Sequence, residues 1–330
     1  MSRRRLTDRQ KARIQRIQRL RRENGARRAD ALLEQAADAP RPGLVVTRHG
    51  NHLAVEDESG ALFHCLFRQN IGHVVCGDSV IWQPTGKHEG VVTALQARRS
   101  LLTRPDFNGH EKPLAANIDQ LVVVIAPRPR PLAYLLDQYL VAAETIGVRA
   151  LIALNKSDLL EEAESDAELA YIRDLYPAIG YPLIEISAKR NDGLQPLFDR
   201  LKDQTSILVG QSGVGKSSLV NAALPDREVQ TDRLASTGHG RHTTSSTTLY
   251  HLPFGGRLID SPGVRSFRLG RLERATLERG FIEMGDYLGA CRFSDCTHTH
   301  EPGCALRKAV AEGRIHPRRL ENLIHMAESR

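Results

Sequence analysis

Residues Gly210-Gln211-Ser212-Gly213-Val214-Gly215-Lys216-Ser217 decide how the rest of the chain is read. The apolar run Ile207-Leu208-Val209 precedes them, and Ser218-Leu219-Val220-Asn221-Ala222-Ala223-Leu224 follows with helical spacing. The stretch therefore reads as strand, glycine-rich turn and helix. Backbone N–H groups of such a turn, with the helix N-terminus behind them, surround phosphate oxygens. Glycine is needed where the backbone closes on the phosphates at positive φ. Gly210 through Ser218 are expected to line a nucleotide phosphate site, with Lys216 reaching the β- and γ-phosphates and Ser217 ligating Mg²⁺.

Working outward, a second apolar run, Arg149-Ala150-Leu151-Ile152-Ala153-Leu154, ends in Asn155-Lys156-Ser157-Asp158. An aspartate at a strand end accepts both the ring N–H and the exocyclic amine of guanine, a donor pair that adenine lacks, and Lys156 can lie over the base. Ser187-Ala188-Lys189 follows a later strand and offers a backbone N–H to the guanine oxygen. Beyond the phosphate loop, Leu258-Ile259-Asp260-Ser261-Pro262-Gly263 places Asp260 at a strand end to hold Mg²⁺ through water, with the Gly263 N–H facing the γ-phosphate. The long polar segment between them contains Gly238-His239-Gly240-Arg241-His242-Thr243-Thr244. Loops of that length are usually functional, and Thr243 or Thr244, with Thr244 preferred, is expected to ligate Mg²⁺ when GTP is bound.

These are the working parts of a GTPase in an unusual order. The guanine-reading motif precedes the phosphate loop, whereas most GTPases have it late. The chain reads as a circularly permuted GTPase, which is physically tolerable because domain termini usually lie close together. Apolar runs at 120–126, 149–154, 182–186, 205–209, 247–252 and 257–260 alternate with helical patterns at 132–146, 160–175 and 191–202. That alternation predicts a mostly parallel sheet covered on both faces.

The flanks differ in character. Residues 1–28 hold twelve Lys and Arg against Asp8 and Glu23, although the whole chain of 330 residues carries a net charge of only +7. A basic arm of this kind suits nucleic acid, because each neutralised phosphate releases counterions. Residues 44–104 carry about five short β-rich segments separated by turn formers, the pattern of a small OB-fold barrel. Such barrels often bind RNA. Cys65 and Cys76 within it are expected to be buried. Near the C-terminus, Cys291, Cys296, His298 and Cys304 suit tetrahedral, structural zinc, with His300 left outside the set. Helical patterns at 271–289 and 305–329 flank this knuckle, and Lys308, Arg314, His316, Arg318 and Arg319 of the latter are read as an exposed basic face, either a second RNA surface or an ordinary solvated one. Five cysteines are too few for a disulfide framework, and no apolar run approaches the length of a membrane span. A cytoplasmic protein is expected.

The chain is thus divided into a basic, disordered arm (1–40), an OB-fold (41–110), a permuted P-loop α/β GTPase domain (111–268) and a helical zinc-binding domain (269–330). This combination, with Gly210 to Leu219, Asp260-Ser261-Pro262-Gly263-Val264 and the Cys-x4-Cys-x-His-x5-Cys spacing, resembles the ribosome small-subunit-dependent GTPase A family over essentially the full chain. The resemblance implies a monomeric bacterial assembly factor without a membrane, using GTP/GDP, Mg²⁺ and one structural Zn²⁺. Its implied partner is the maturing small ribosomal subunit and its rRNA, which stimulates hydrolysis. Where many GTPases place a water-orienting glutamine, this chain has Val264, so hydrolysis is expected to be slow alone. Catalysis is assigned to Lys216 and His242, the latter supported by the resemblance. Gly213 stands where potassium-activated relatives carry asparagine, so no potassium is expected. The rival readings are another RNA-linked GTPase and an RNA-binding scaffold that keeps GTP mainly as a ligand.

Overall fold

The computed structural model describes residues 24–34, 36, 38–105, 110–226, 247–261, 270 and 272–328. His242, Thr243, Thr244, Gly263, Val264 and the arm through residue 23 lie outside them. Two compact units emerge, one running through Arg99 with Ala115–Asn117 added, the other comprising Ser100–Leu114, Ile118–Pro225 and the chain from Tyr250 onward.

The first unit is a five-stranded barrel of β1 (Arg41–His49), β2 (His52–Glu56), β3 (Leu62–Phe67), β4 (Ser79–Gly86) and β5 (Glu89–Leu95). The order β1-β2-β3-β5-β4 closes because β4 pairs back onto β1. β3 and β5 run parallel, while the other neighbours are antiparallel. A register shift between Val45 and Thr47 lets β1 bend and pair on both sides. Trp82 is fully buried at the centre, 4.4 Å from the Phe63 ring. Cys65 and Cys76 are buried as expected, and burial pushes both thiols well above their usual range.

The expected disordered arm is corrected over part of its length. Residues 24–34 form a helix, α1, because Ala26 and Ala29 bury there while Leu32 and Leu33 pack with Leu66 and Val91 of the barrel. Asp30 adds an ion pair to Arg68 at 2.9 Å.

The second unit opens with a two-stranded sheet that the sequence pattern does not predict, β6 (Leu101–Pro105) and β7 (Glu111–Ala116). Its sheet then uses β8 (Gln120–Ile125), β9 (Arg149–Asn155), β10 (Leu183–Ile186), β11 (Thr205–Val209), β12 (Thr248–His251) and β13 (Arg257–Asp260). The strands β10-β9-β8-β11-β13 are parallel neighbours. All six residues of β8 and all five of β11 are buried, which accounts for their unbroken apolar runs. Helices α2 (Ala133–Ile146), α3 (Ala167–Ala178), α4 (Leu194–Leu201) and α5 (Lys216–Ala223) connect the strands. The strand order reverses between β8 and β11, with β9 and β10 laid down on one side and β13 on the other, and open α/β sheets bind ligands at such switch points, beyond the strand C-termini.

The C-terminal helices α6 (Arg274–Arg279), α7 (Ala305–Ala311) and α8 (Pro317–Glu328) belong to the same compact unit. The two long helices expected here are each broken. The first stops at Gly280, where a Cβ would lie 2.7 Å from Val141 of α2, and a 3₁₀ turn takes over at Ile282–Tyr287. The second divides at Gly313, which has φ +72°, and restarts at Pro317, whose ring suits a first helical position.

Candidate nucleotide site and metal centre

The glycine-rich turn leaves β11 beside β8 and enters α5 at Lys216. Gly210 has φ +136°, and a Cβ there would lie 2.1 Å from the Val124 carbonyl oxygen. Gly215, at φ +94°, presses against the guanine motif, since a Cβ would meet Asn155 Nδ2 at 2.2 Å. Any larger residue at either position would force the two strand ends apart. Val214 is buried and anchors the turn, while Ser212, Gly213, Ser217 and Ser218 are exposed. Lys216 Nζ donates to the Gly210 carbonyl at 2.6 Å and also to that of Gln211, so its charge sits over the loop.

The guanine motif is bound to this turn more tightly than its sequence suggests. Asn155 is buried, donates from Nδ2 to the Val214 carbonyl at 2.9 Å and accepts the Ala188 N–H on Oδ1 at 3.1 Å. One side chain thereby links the phosphate loop to Ser187-Ala188-Lys189. Lys156, in the left-handed region at φ 61°, donates Nζ to the carbonyls of Arg128 and Gly213, each at 2.7 Å. Arg128 was not read as part of the site; its contribution is a carbonyl, which carries no side-chain signal. The buried Ser187 hydroxyl donates to Asp158 Oδ1 at 2.6 Å and holds that carboxyl below the usual aspartate range. The same contact fixes the orientation of the carboxyl and favours its ionised form. Asp260 ends β13, as expected, and is half-buried.

At the far end of the unit, Cys291, Cys296, His298 and Cys304 bring their ligand atoms within 4.8 Å of one another. His298 Nδ1 lies 3.7, 3.5 and 3.4 Å from the sulfurs of Cys291, Cys296 and Cys304. Zn–S bonds of about 2.3 Å and a Zn–N bond of about 2.0–2.1 Å give tetrahedral edges of about 3.5–3.8 Å. The set fits that ion in number, type and spacing. Backbone N–H groups of Ala305 and Arg307 point at the sulfurs of Cys291 and Cys304, at 3.3 and 3.5 Å. His300 is exposed and outside the cluster, as expected.

Arg319 corrects the expectation of an exposed basic face. Its side chain is 1% exposed and donates from Nε and Nη2 to Glu283 at 2.6 and 2.9 Å, and from Nη1 to Asp137. Asp137, on α2, also accepts from Tyr176 of α3 and, at 2.6 Å, from Asn322 of α8. The three charged groups come from three elements far apart in sequence, so no local pattern reveals them.

A glycine-rich phosphate loop stitched to a guanine-reading loop, with the guanine strand earlier in the chain than the phosphate strand, defines a circularly permuted P-loop GTPase. The RsgA GTPase family model matches residues 95–270. A relative from Azotobacter vinelandii named small ribosomal subunit biogenesis GTPase RsgA is 46% identical, covering 100% of this chain and 98% of its own length. A Pseudomonas aeruginosa relative of the same name is 45% identical over 100% of this chain and 98% of the relative. Among solved structures, YjeQ from Thermotoga maritima is 34% identical with a TM-score of 0.70, covering 87% of this chain and 97% of that one. YloQ, described as a circularly permuted GTPase, is 29% identical with a TM-score of 0.67, over 88% and 95%. This chain belongs to the RsgA GTPase family, and it is a GTP hydrolase.

Proposed function

We propose that this chain is a cytoplasmic, monomeric factor in late maturation of the small ribosomal subunit, hydrolysing GTP to GDP and phosphate when that subunit stimulates it. The full-length match to relatives bearing that name is the observation that carries the reading. The basic arm and the OB-type barrel supply the kinds of surface that bind rRNA.

In the nucleotide site, the backbone N–H groups from Gly210 to Ser218 would receive the phosphates, and Lys216 would neutralise charge developing on the β- and γ-oxygens. Asp158 would accept from the guanine edge, Lys156 would cover the base, and the Ser187-Ala188-Lys189 backbone would face the guanine oxygen. Ser217, Thr244 and Asp260 would hold Mg²⁺, which would offset phosphate charge. Gly263 would meet the γ-phosphate through its N–H. His242 is assigned the orientation of the attacking water, because Val264 has no group to do it. Cys291, Cys296, His298 and Cys304 would hold a structural Zn²⁺ that pins the C-terminal loops.

The test is phosphate release by the purified chain alone and with small subunits, large subunits or assembled ribosomes, using ATP as the control nucleotide. Strong stimulation by small subunits with GTP alone is expected. Equal, slow turnover in every mixture would overturn the reading in favour of a passive scaffold. His242→Ala is expected to abolish the stimulated rate while leaving GTP binding intact; an unchanged stimulated rate removes His242 from its role.

A further inference from the structure

His298 has two ring nitrogens, and the fold uses both. Nδ1 faces the three sulfurs, while Nε2 lies 3.1 Å from Glu278 Oε1. The backbone at His298 is in the left-handed region at φ 64°, which turns the ring inward, and the residue is buried. Glu278 belongs to α6, outside the knuckle, and is itself oriented by Arg274 Nε at 2.8 Å. Leu277 of the same helix packs in one apolar cluster with Cys296 and Cys304, and Gly280 just beyond lets α6 close on Val141 of α2.

From this arrangement we infer that Glu278 is the positioning residue of the metal centre: it accepts the Nε2–H of His298, so the ion is ligated through Nδ1, and it ties α6 to the knuckle. A neutral imidazole carries one N–H. When a carboxylate holds that hydrogen on Nε2, the Nδ1 lone pair is the one left for a metal, and the ring is both oriented and made more basic. The ligand spacing within Cys291–Cys304 shows nothing of this, because Glu278 precedes the first ligand and carries no motif.

The inference rests on the zinc reading proposed above. Its test uses the full chain loaded with zinc, measuring the zinc dissociation constant by competition with a chromogenic chelator for the native protein, Glu278→Ala and Glu278→Gln. Loss of the outer carboxylate is expected to weaken zinc about 10–100-fold. Glu278→Gln, whose amide oxygen still accepts the Nε2–H, is expected to recover most of that loss. Long-range ¹H–¹⁵N correlations of histidine in the native zinc-loaded protein are expected to place the hydrogen on Nε2 of His298 and the metal on Nδ1. This measurement needs no variant to fold. Equal zinc affinity in native protein and Glu278→Ala, or ligation through Nε2, overturns the inference. A native protein that takes up no zinc overturns the metal reading itself, a separate result.

Discussion

The two ends of the GTPase unit handle polar groups in opposite ways. At the nucleotide end, Ser212, Gly213, Ser217 and Ser218 are exposed, and Lys216 and Lys156 reach loop carbonyls. At the C-terminal end, Asp137 and Arg319 are sealed from water, at 0% and 1% exposure, and their partners Glu283 and Asn322 are half-buried. Groups that serve a ligand stay open so that the ligand can become their partner. Groups that fasten α8 to α2 and α3 are closed and fully paired, since a buried charge left alone is costly. The first end should therefore be sensitive in activity and forgiving in stability, and the second the reverse.

The largest effect should fall on the sealed end. Arg319→Met leaves the buried Asp137 and the half-buried Glu283 without their cation and is expected to cost about 3–5 kcal/mol in denaturant unfolding. Adding Asp137→Leu and Glu283→Gln should restore much of it; a single variant as stable as the native chain would break the comparison. Lys216→Ala should do the converse, lowering hydrolysis by about 10²–10³-fold, or about 2.7–4 kcal/mol in the barrier, with no loss of folding stability.

Asp158→Asn is expected to weaken guanine nucleotides by about 10–100-fold in equilibrium binding, the worth of a hydrogen bond to a charged group. The depressed pKa of Asp158 gives the pH dependence its sign, because its ionised form persists below the usual aspartate range. Preference for GDP over ADP should accordingly hold from neutral pH down to about pH 5 and fade only at lower values; a loss already complete at about pH 6 would contradict the Ser187 contact. The smallest effect belongs to Arg318, one residue from Arg319. It pairs with Glu168 and lies 4.4 Å over the Tyr171 ring, but its side chain is 42% exposed. Arg318→Ala should cost no more than about 1 kcal/mol, and a larger loss would erase the distinction between sealed and open charge.

The nucleotide end was legible because its chemistry is local. Backbone curvature around a phosphate demands glycines at fixed offsets, and a base-reading aspartate follows directly after a buried strand. Chain order places Asn155 in the base-reading motif, and only the structure adds that its side chain staples the two loops together. The Cys₃His set was legible because fourteen consecutive residues, Cys291 to Cys304, carry all four members. The helices around them were misjudged in length, since a close approach at Gly280 and a break at Gly313 interrupt patterns that look continuous.

Local pattern and chain order were enough to determine a permuted GTPase with a barrel before it and a Cys₃His knuckle after it. Period-two and period-3.6 hydrophobicity and motif spacing are properties of neighbours in sequence. Only the tertiary structure decided that Arg319 is an internal tie and that residues 24–34 cover barrel residues Leu66 and Val91. It alone showed Glu278 beside His298. The physical reason is common to all three: whether a side chain, charged or apolar, meets water or a partner depends on which distant elements enclose it, and burial, not residue type, sets the energy of leaving it alone.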